Sequence, residues 1–150
     1  MKNKRVLLID ALNLFIRNYI VDPSLSTNGH PIGGAKGFIK SLQAVCRIIN
    51  PDLILVAWDG GSQKRKSMDK NYKAGRKPVR LNRDIHNMTA GEQEDNKNWQ
   101  QERIIEYLNE MPILQSYVEN VEADDIIALV SQSQALSEHH KIILSSDKDF

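Results

Sequence analysis

Val6-Leu7-Leu8-Ile9-Asp10-Ala11-Leu12-Asn13-Leu14-Phe15-Ile16 is the stretch on which the fold class turns. Its first four residues are a continuous apolar run, the pattern of a strand buried on both faces of a parallel sheet. Asp10 stops the run, and Leu12, Phe15, Ile16 and Tyr19 then recur at helical spacing. A strand therefore passes into a helix with a carboxylate at the junction.

The same pattern returns along the chain. Leu53-Ile54-Leu55-Val56-Ala57-Trp58 reads as a second buried strand, again stopped by an acid in Asp59-Gly60-Gly61. Before it, a turn-rich loop from Asp22 to Pro31 leads through Gly33, Gly34 and Gly37 into Phe38, Ile39, Leu42, Val45, Ile48 and Ile49. That helix ends at Asn50-Pro51, because the residue before a proline is pushed out of the helical region. Helical spacing resumes through Trp99, Ile104, Ile105, Leu108 and Met111, and Pro112 marks the exit into a third strand over Ile113 to Val118. Glu122-Ala123-Asp124-Asp125 opens another helix, continued by Ile126, Ile127, Leu129 and Val130. A fourth strand from Lys141 to Ser146 ends at Asp147-Lys148-Asp149. Alternating short apolar strands and amphipathic helices, without repeats or low-complexity tracts, predict an α/β fold with a largely parallel central sheet flanked by helices.

Size and composition set the outer bounds. The 150 residues are 41% hydrophobic, enough for one sizeable core, so one domain is expected. Cys46 is the single cysteine and lies in an apolar-periodic stretch, which excludes an intramolecular disulfide and suits burial as a small hydrophobe. Asp10 interrupts the only apolar run near the N-terminus, no small-residue cleavage site follows it, and no run approaches the ~18 residues that span a bilayer. A soluble, cytoplasmic protein with no membrane partner is expected. His30, His86, His139 and His140 lack metal-ligand spacing, so zinc chemistry is not indicated. The glycines of Gly33-Gly34-Ala35-Lys36-Gly37 follow a polar loop rather than a strand, unlike phosphate-loop and dinucleotide fingerprints. The helix start they occupy could still receive a nucleic-acid phosphate, with Lys36 beside it.

The formal charge is only +1, but its signs are segregated. Lys64, Arg65, Lys66, Lys70, Lys73, Arg76, Lys77, Arg80 and Arg83 are interrupted by a single acid, Asp69. The stretch from Ser62 to about Asn98 has little apolar periodicity, so it reads as a long excursion from the core. The acids gather elsewhere. In an open parallel sheet ligands bind beyond the carboxyl ends of the strands, and three of the four strands deliver a carboxylate there: Asp10, Asp59 and the Asp147/Asp149 pair. Glu122 and Asp125, three residues apart, project from one helical face, and Asp124 can join them. So many carboxylates repel one another unless a cation sits among them. All-oxygen ligands favour Mg²⁺ or Mn²⁺, and a pair of such ions roughly 3.5–4 Å apart suits phosphodiester hydrolysis.

Each acid also has a structural reading: Asp10 as a helix cap, Asp59 in a glycine turn, Glu122 to Asp125 complementing a helix dipole, Asp147 and Asp149 in a turn. Four such coincidences at one sheet edge are harder to accept than one metal site. A cationic excursion beside it then acquires a purpose, since Lys and Arg hold a nucleic-acid backbone while metals hold the phosphate being cut. Tyr72-Lys73-Ala74-Gly75-Arg76-Lys77 adds an aromatic suited to base stacking and a guanidinium suited to phosphate.

Taken together, Leu8-Ile9-Asp10 with Asn13, Gly33 to Phe38, Trp58-Asp59-Gly60, Tyr72-Lys73-Ala74-Gly75-Arg76, Val121-Glu122-Ala123-Asp124-Asp125 and Ser146-Asp147-Lys148-Asp149 resemble the flap endonuclease and 5′–3′ exonuclease family. That family includes the nuclease domain of bacterial DNA polymerase I and bacteriophage ribonuclease H enzymes. The resemblance implies a PIN-like α/β nuclease core over 1–150 and an arch-like insertion at about 62–98 through which a 5′ strand passes. It implies metal binding by Asp10, Asp59, Glu122, Asp124, Asp125, Asp147 and Asp149, and phosphate contact by Lys73 and Arg76 as the catalytic cations. The expected substrate is DNA or RNA:DNA with a 5′ end or flap, in a bacterial or virus-infected cell, alongside replication proteins. Members of the family continue past the Ser-Asp-Lys-Asp motif with another strand, a further metal-binding aspartate and a helix-hairpin-helix element, none of which lies within these 150 residues. Two other readings stand beside this one: a non-catalytic fragment that binds branched DNA, and a PIN-type ribonuclease acting on single-stranded RNA.

Overall fold

The computed structural model describes residues 4–60 and 88–145. Among these, residues 4–12, 51–60 and 113–145 form one compact unit, and residues 13–50 and 88–112 form another.

The first unit is built on a four-stranded sheet: β1 (Arg5–Asp10), β2 (Leu53–Trp58), β3 (Leu114–Tyr117) and β4 (His140–Leu144). Its order is β3-β2-β1-β4 and every pairing is parallel. Val6, Leu7, Leu8 and Ile9 are all fully buried, which is why β1 reads as a solid apolar run rather than an alternation. One sheet face is covered by helix α4 (Ala123–Ser131), where Val6, Leu8 and Ala57 pack with Ala123, Ile126 and Ile127. A short 3₁₀ turn (Gln134–Leu136) then leads into β4. The start of β1 is fastened to the approach to β2 by two hydrogen bonds of 2.8 Å: the Arg5 amide donates to Asp52 Oδ2, and the Asp52 amide donates to the Arg5 carbonyl.

Helix α1 (Ala11–Val21) follows β1 without a break and carries the chain into the second unit. There α2 (Gly33–Ile49) and α3 (Ala90–Asn109) join it, with Phe15, Tyr19, Phe38, Leu42, Ile104 and Leu108 buried. The glycines at the start of α2 serve close packing. A Cβ on Gly34 would lie 2.4 Å from the Phe15 ring, and one on Gly37 would lie 2.4 Å from Asn18 Oδ1. Helix α2 ends just before Pro51 in a left-handed C-cap, Asn50 at φ 52°, whose amide donates to the Cys46 carbonyl. None of the described helices is long and apolar enough to cross a membrane.

Helix α3 starts nine residues earlier than apolar spacing indicates, at Ala90 rather than Trp99. Its first turns carry almost no apolar residues, so periodicity is blind to them. They are held instead by a polar cap, the Thr89 hydroxyl accepting from the Glu92 amide at 3.1 Å. Part of the long polar excursion is therefore regular helix.

Candidate metal centre

The sheet order places a topological switch between β1 and β4, because the chain steps from β1 outward to β2 and β3 and then returns to the opposite side of β1. In open parallel sheets the crevice beyond the carboxyl ends at such a switch is where ligands bind. Asp10 is the last residue of β1 and stands at that crevice. β4 runs out beside it, with Ile9 paired to Leu144. Asp147 and Asp149 lie outside the described residues.

Register then relates Asp10 to Asp59. Asp10 pairs with Ala57, and neighbours in a parallel ladder point to the same face. Ala57 belongs to the core beneath α4, so Asp10 is directed to the α4 side of the sheet. Asp59, two residues beyond Ala57, continues on that side past the end of β2. It meets the first turn of α4 there, and its Oδ1 accepts a hydrogen bond from the Ala123 amide at 2.6 Å. The free amides at a helix N-terminus carry partial positive charge, so a carboxylate is well placed to receive one.

That first turn supplies three more acids. Glu122 occupies the N-cap position in extended conformation, followed by Asp124 and Asp125 in the first helical turn. Glu122, Asp124 and Asp125 each present a carboxylate oxygen within 4.8 Å of the other two. Glu122 and Asp124 are half-buried and Asp125 is exposed. The Asp125 amide donates to Asp124 Oδ1 at 2.9 Å, which orients the Asp124 carboxylate over the turn. The donors are all oxygen and all anionic, the chemistry of a hard divalent cation, and their mutual spacing suits one ion reached by several carboxylates. The residues present therefore fit such a metal. Five of the seven acids singled out from sequence are described, and all five belong to the first unit.

The basic candidates Lys64, Arg65, Lys66, Lys70, Tyr72, Lys73, Arg76, Lys77 and Arg80 lie outside the described residues. Gly33, Gly34 and Lys36 stand at the start of α2 in the second unit. Gly33 and Gly34 are buried, and the Ala35 amide in the same turn already donates to Gln100 Oε1 at 2.9 Å. Lys36 is exposed and its Nζ donates to Ser24 Oγ at 3.1 Å. Sequence reading missed Gln100, the one buried polar residue among the described ones. It also missed Gln115, whose Oε1 accepts from Trp58 Nε1 at 2.8 Å directly before Asp59. Nothing in their local sequence sets these glutamines apart from the surface glutamines nearby.

Comparison with known proteins agrees with this geometry. The chain is 29% identical over 150 residues to DNA polymerase I of Borreliella burgdorferi, covering 97% of this chain and 15% of that protein. It is likewise 29% identical over 151 residues to the flap endonuclease Xni of a Shewanella species (strain MR-4), covering 97% of this chain and 50% of the relative. The chain thus spans about half the length of the Xni relatives it matches. A bacteriophage T5 protein co-crystallised with metal ions shares the fold, with a TM-score of 0.68 at 19% identity, over 97% of this chain and 49% of that one. The T5 flap endonuclease in a pseudo-enzyme–product complex with DNA and metal ions superposes with a TM-score of 0.67 at 17% identity, over 97% of this chain and 50% of that one. The sheet and its helices are therefore those of a PIN-like 5′ nuclease core. Residues 5–150 match the family model described as "5'-3' exonuclease, N-terminal resolvase-like domain", and the chain belongs to that family.

Proposed function

We propose that this chain is the metal-binding part of a 5′ nuclease that hydrolyses phosphodiester bonds at 5′ ends or branches of DNA, or of RNA:DNA, in replication or repair alongside replication proteins. The observation that supports this most directly is the acidic edge itself: Asp10 and Asp59 directed to one side of the sheet, with the Glu122, Asp124 and Asp125 carboxylates at the helix end that Asp59 caps. Asp10, Asp59, Glu122, Asp124 and Asp125 would hold Mg²⁺ or Mn²⁺, with Asp147 and Asp149 completing the set for two ions. Bound there, such ions supply an activated water and neutralise charge on the scissile phosphate. Lys73 and Arg76 would contact that phosphate and offset the negative charge that develops on it. The basic residues from Lys64 to Arg80 would hold the strand backbone, in an arch-like insertion at 62–98 whose last residues form the beginning of α3. Gly33, Gly34 and Lys36 would take a nucleic-acid phosphate at the start of α2.

The test uses a labelled 5′-flap duplex, with Mg²⁺ and with chelator, beside Mn²⁺ binding measured by paramagnetic resonance. Cutting that needs metal, and Mn²⁺ binding that is lost in Asp10→Asn, are the expected results. Folded Asp10→Asn that binds Mn²⁺ and cuts like the parent chain would sink the assignment. Mn²⁺ and flap binding without cutting would favour a role in holding branched DNA.

A further inference from the structure

Resting on that metal-site reading, we infer that Gly60 and Asn120 form a backbone clasp that positions the metal ligands, although neither presents a ligand atom. Asp59 directly precedes Gly60 and Glu122 lies two residues after Asn120, and three hydrogen bonds join their two segments. The Gly60 amide donates to the Val121 carbonyl at 2.9 Å, and the Gly60 carbonyl accepts from the Asn120 amide at 3.1 Å. The third is the Asp59 bond to the Ala123 amide. The end of β2 and the start of α4 are thereby held in fixed register, and the spacing of Asp59 from Glu122 follows from it.

Both clasp residues have a conformational requirement. Val118 to Val121 form a tight turn closed by the Val121 amide donating to the Val118 carbonyl at 3.0 Å. Asn120 occupies its third position at φ 64°, the left-handed region that glycine and asparagine tolerate and β-branched residues resist. Gly60 lies so close to this turn that a Cβ would stand 1.7 Å from the Val118 carbonyl oxygen and 2.6 Å from its carbon. Those are backbone atoms and cannot rotate away. A side chain at position 60 must therefore push the turn, and with it Val121 and Glu122, away from Asp59. A shift of about 1 Å is enough to spoil a constellation of ligands.

The test measures Mn²⁺ affinity and melting temperature on the same folded samples of the full chain, for Asn120→Gly, Asn120→Ala, Asn120→Val and Gly60→Ala. Asn120→Gly keeps the left-handed turn and is expected to bind Mn²⁺ within two-fold of the parent. The dissociation constant should then rise through Asn120→Ala to Asn120→Val, with Asn120→Val and Gly60→Ala weakened about ten-fold or more while circular dichroism still reports the fold. If Asn120→Val is not folded, the Ala and Gly variants still give the ordering. A melting temperature that falls across the series at constant Mn²⁺ affinity would make the clasp merely structural and overturn the inference. A parent chain that binds no Mn²⁺ would instead overturn the metal-site reading and the inference with it.

Discussion

At the level of single residues, Asp59 would divide its two oxygens between the observed bond to Ala123 and the proposed metal. Oδ1 is committed to the Ala123 amide, so a cation would be met chiefly by the other oxygen and by the net charge. Substitutions separate the duties. Asp59→Asn retains a carbonyl-type oxygen able to accept from the amide, and is expected to melt close to the parent while binding Mn²⁺ far more weakly. Asp59→Ala removes the acceptor as well and should also lose stability, by about 0.5–2 kcal/mol, the usual cost of removing a helix cap. Urea denaturation of both variants beside Mn²⁺ titration checks this. Equal stability of the two would mean the bond to Ala123 contributes nothing. Asp10 and Asp59 were legible in the sequence because each ends an apolar run that only a buried strand explains. The amide that Asp59 engages was not, since it lies 64 residues further along the chain and only tertiary pairing brings it there.

Among the elements, α3 shows where legibility fails and what replaces it. Its early start rests on a Thr89 cap with Glu92 three residues on, a capping-box pattern that sequence reading can recognise but that apolar spacing cannot. More consequential is a relay of side chains from this helix. The Asn96 Nδ2 group donates to the Pro31 carbonyl at 3.0 Å, the Gln100 Nε2 group donates to Asn96 Oδ1 at 2.8 Å, and Gln100 Oε1 caps the Ala35 amide. Gln100 is fully buried, and the glycine at position 34 leaves room for it: a Cβ there would stand 3.0 Å from Gln100 Oε1. Gln100→Leu removes, at a fully buried position, both the acceptor of the Ala35 amide and the donor to Asn96 Oδ1. It should destabilise the protein by about 1–3 kcal/mol, the cost of an unsatisfied buried group. Denaturant titration checks the value, and an unchanged midpoint would mean the relay is replaced by water.

For the whole molecule, the proposed metal site would make folding and metal binding one linked equilibrium. Asp59 is brought to the turn that carries Glu122, Asp124 and Asp125 only in the folded chain, so an ion that needs all of them binds the folded state in preference to the unfolded one. Such a ligand at about one hundred times its dissociation constant adds roughly 2.7 kcal/mol to stability. In a chain of 150 residues that corresponds to a rise in melting temperature of about 5–10 °C. The rise should follow Mn²⁺ concentration logarithmically and vanish with chelator. It should shrink sharply in Asp10→Asn, while monovalent salt at matched ionic strength gives little of it, because screening relieves repulsion without occupying the site. Sequence alone could announce this coupling, since acids at the ends of buried strands and at the opening of a helix converge once the sheet is parallel. What it could not supply is the selectivity of such a response, which would depend on spacings set by the β1–β2 register and the turn before α4. A melting temperature indifferent to Mn²⁺, or raised equally by NaCl, would show that these acids share an edge without sharing an ion.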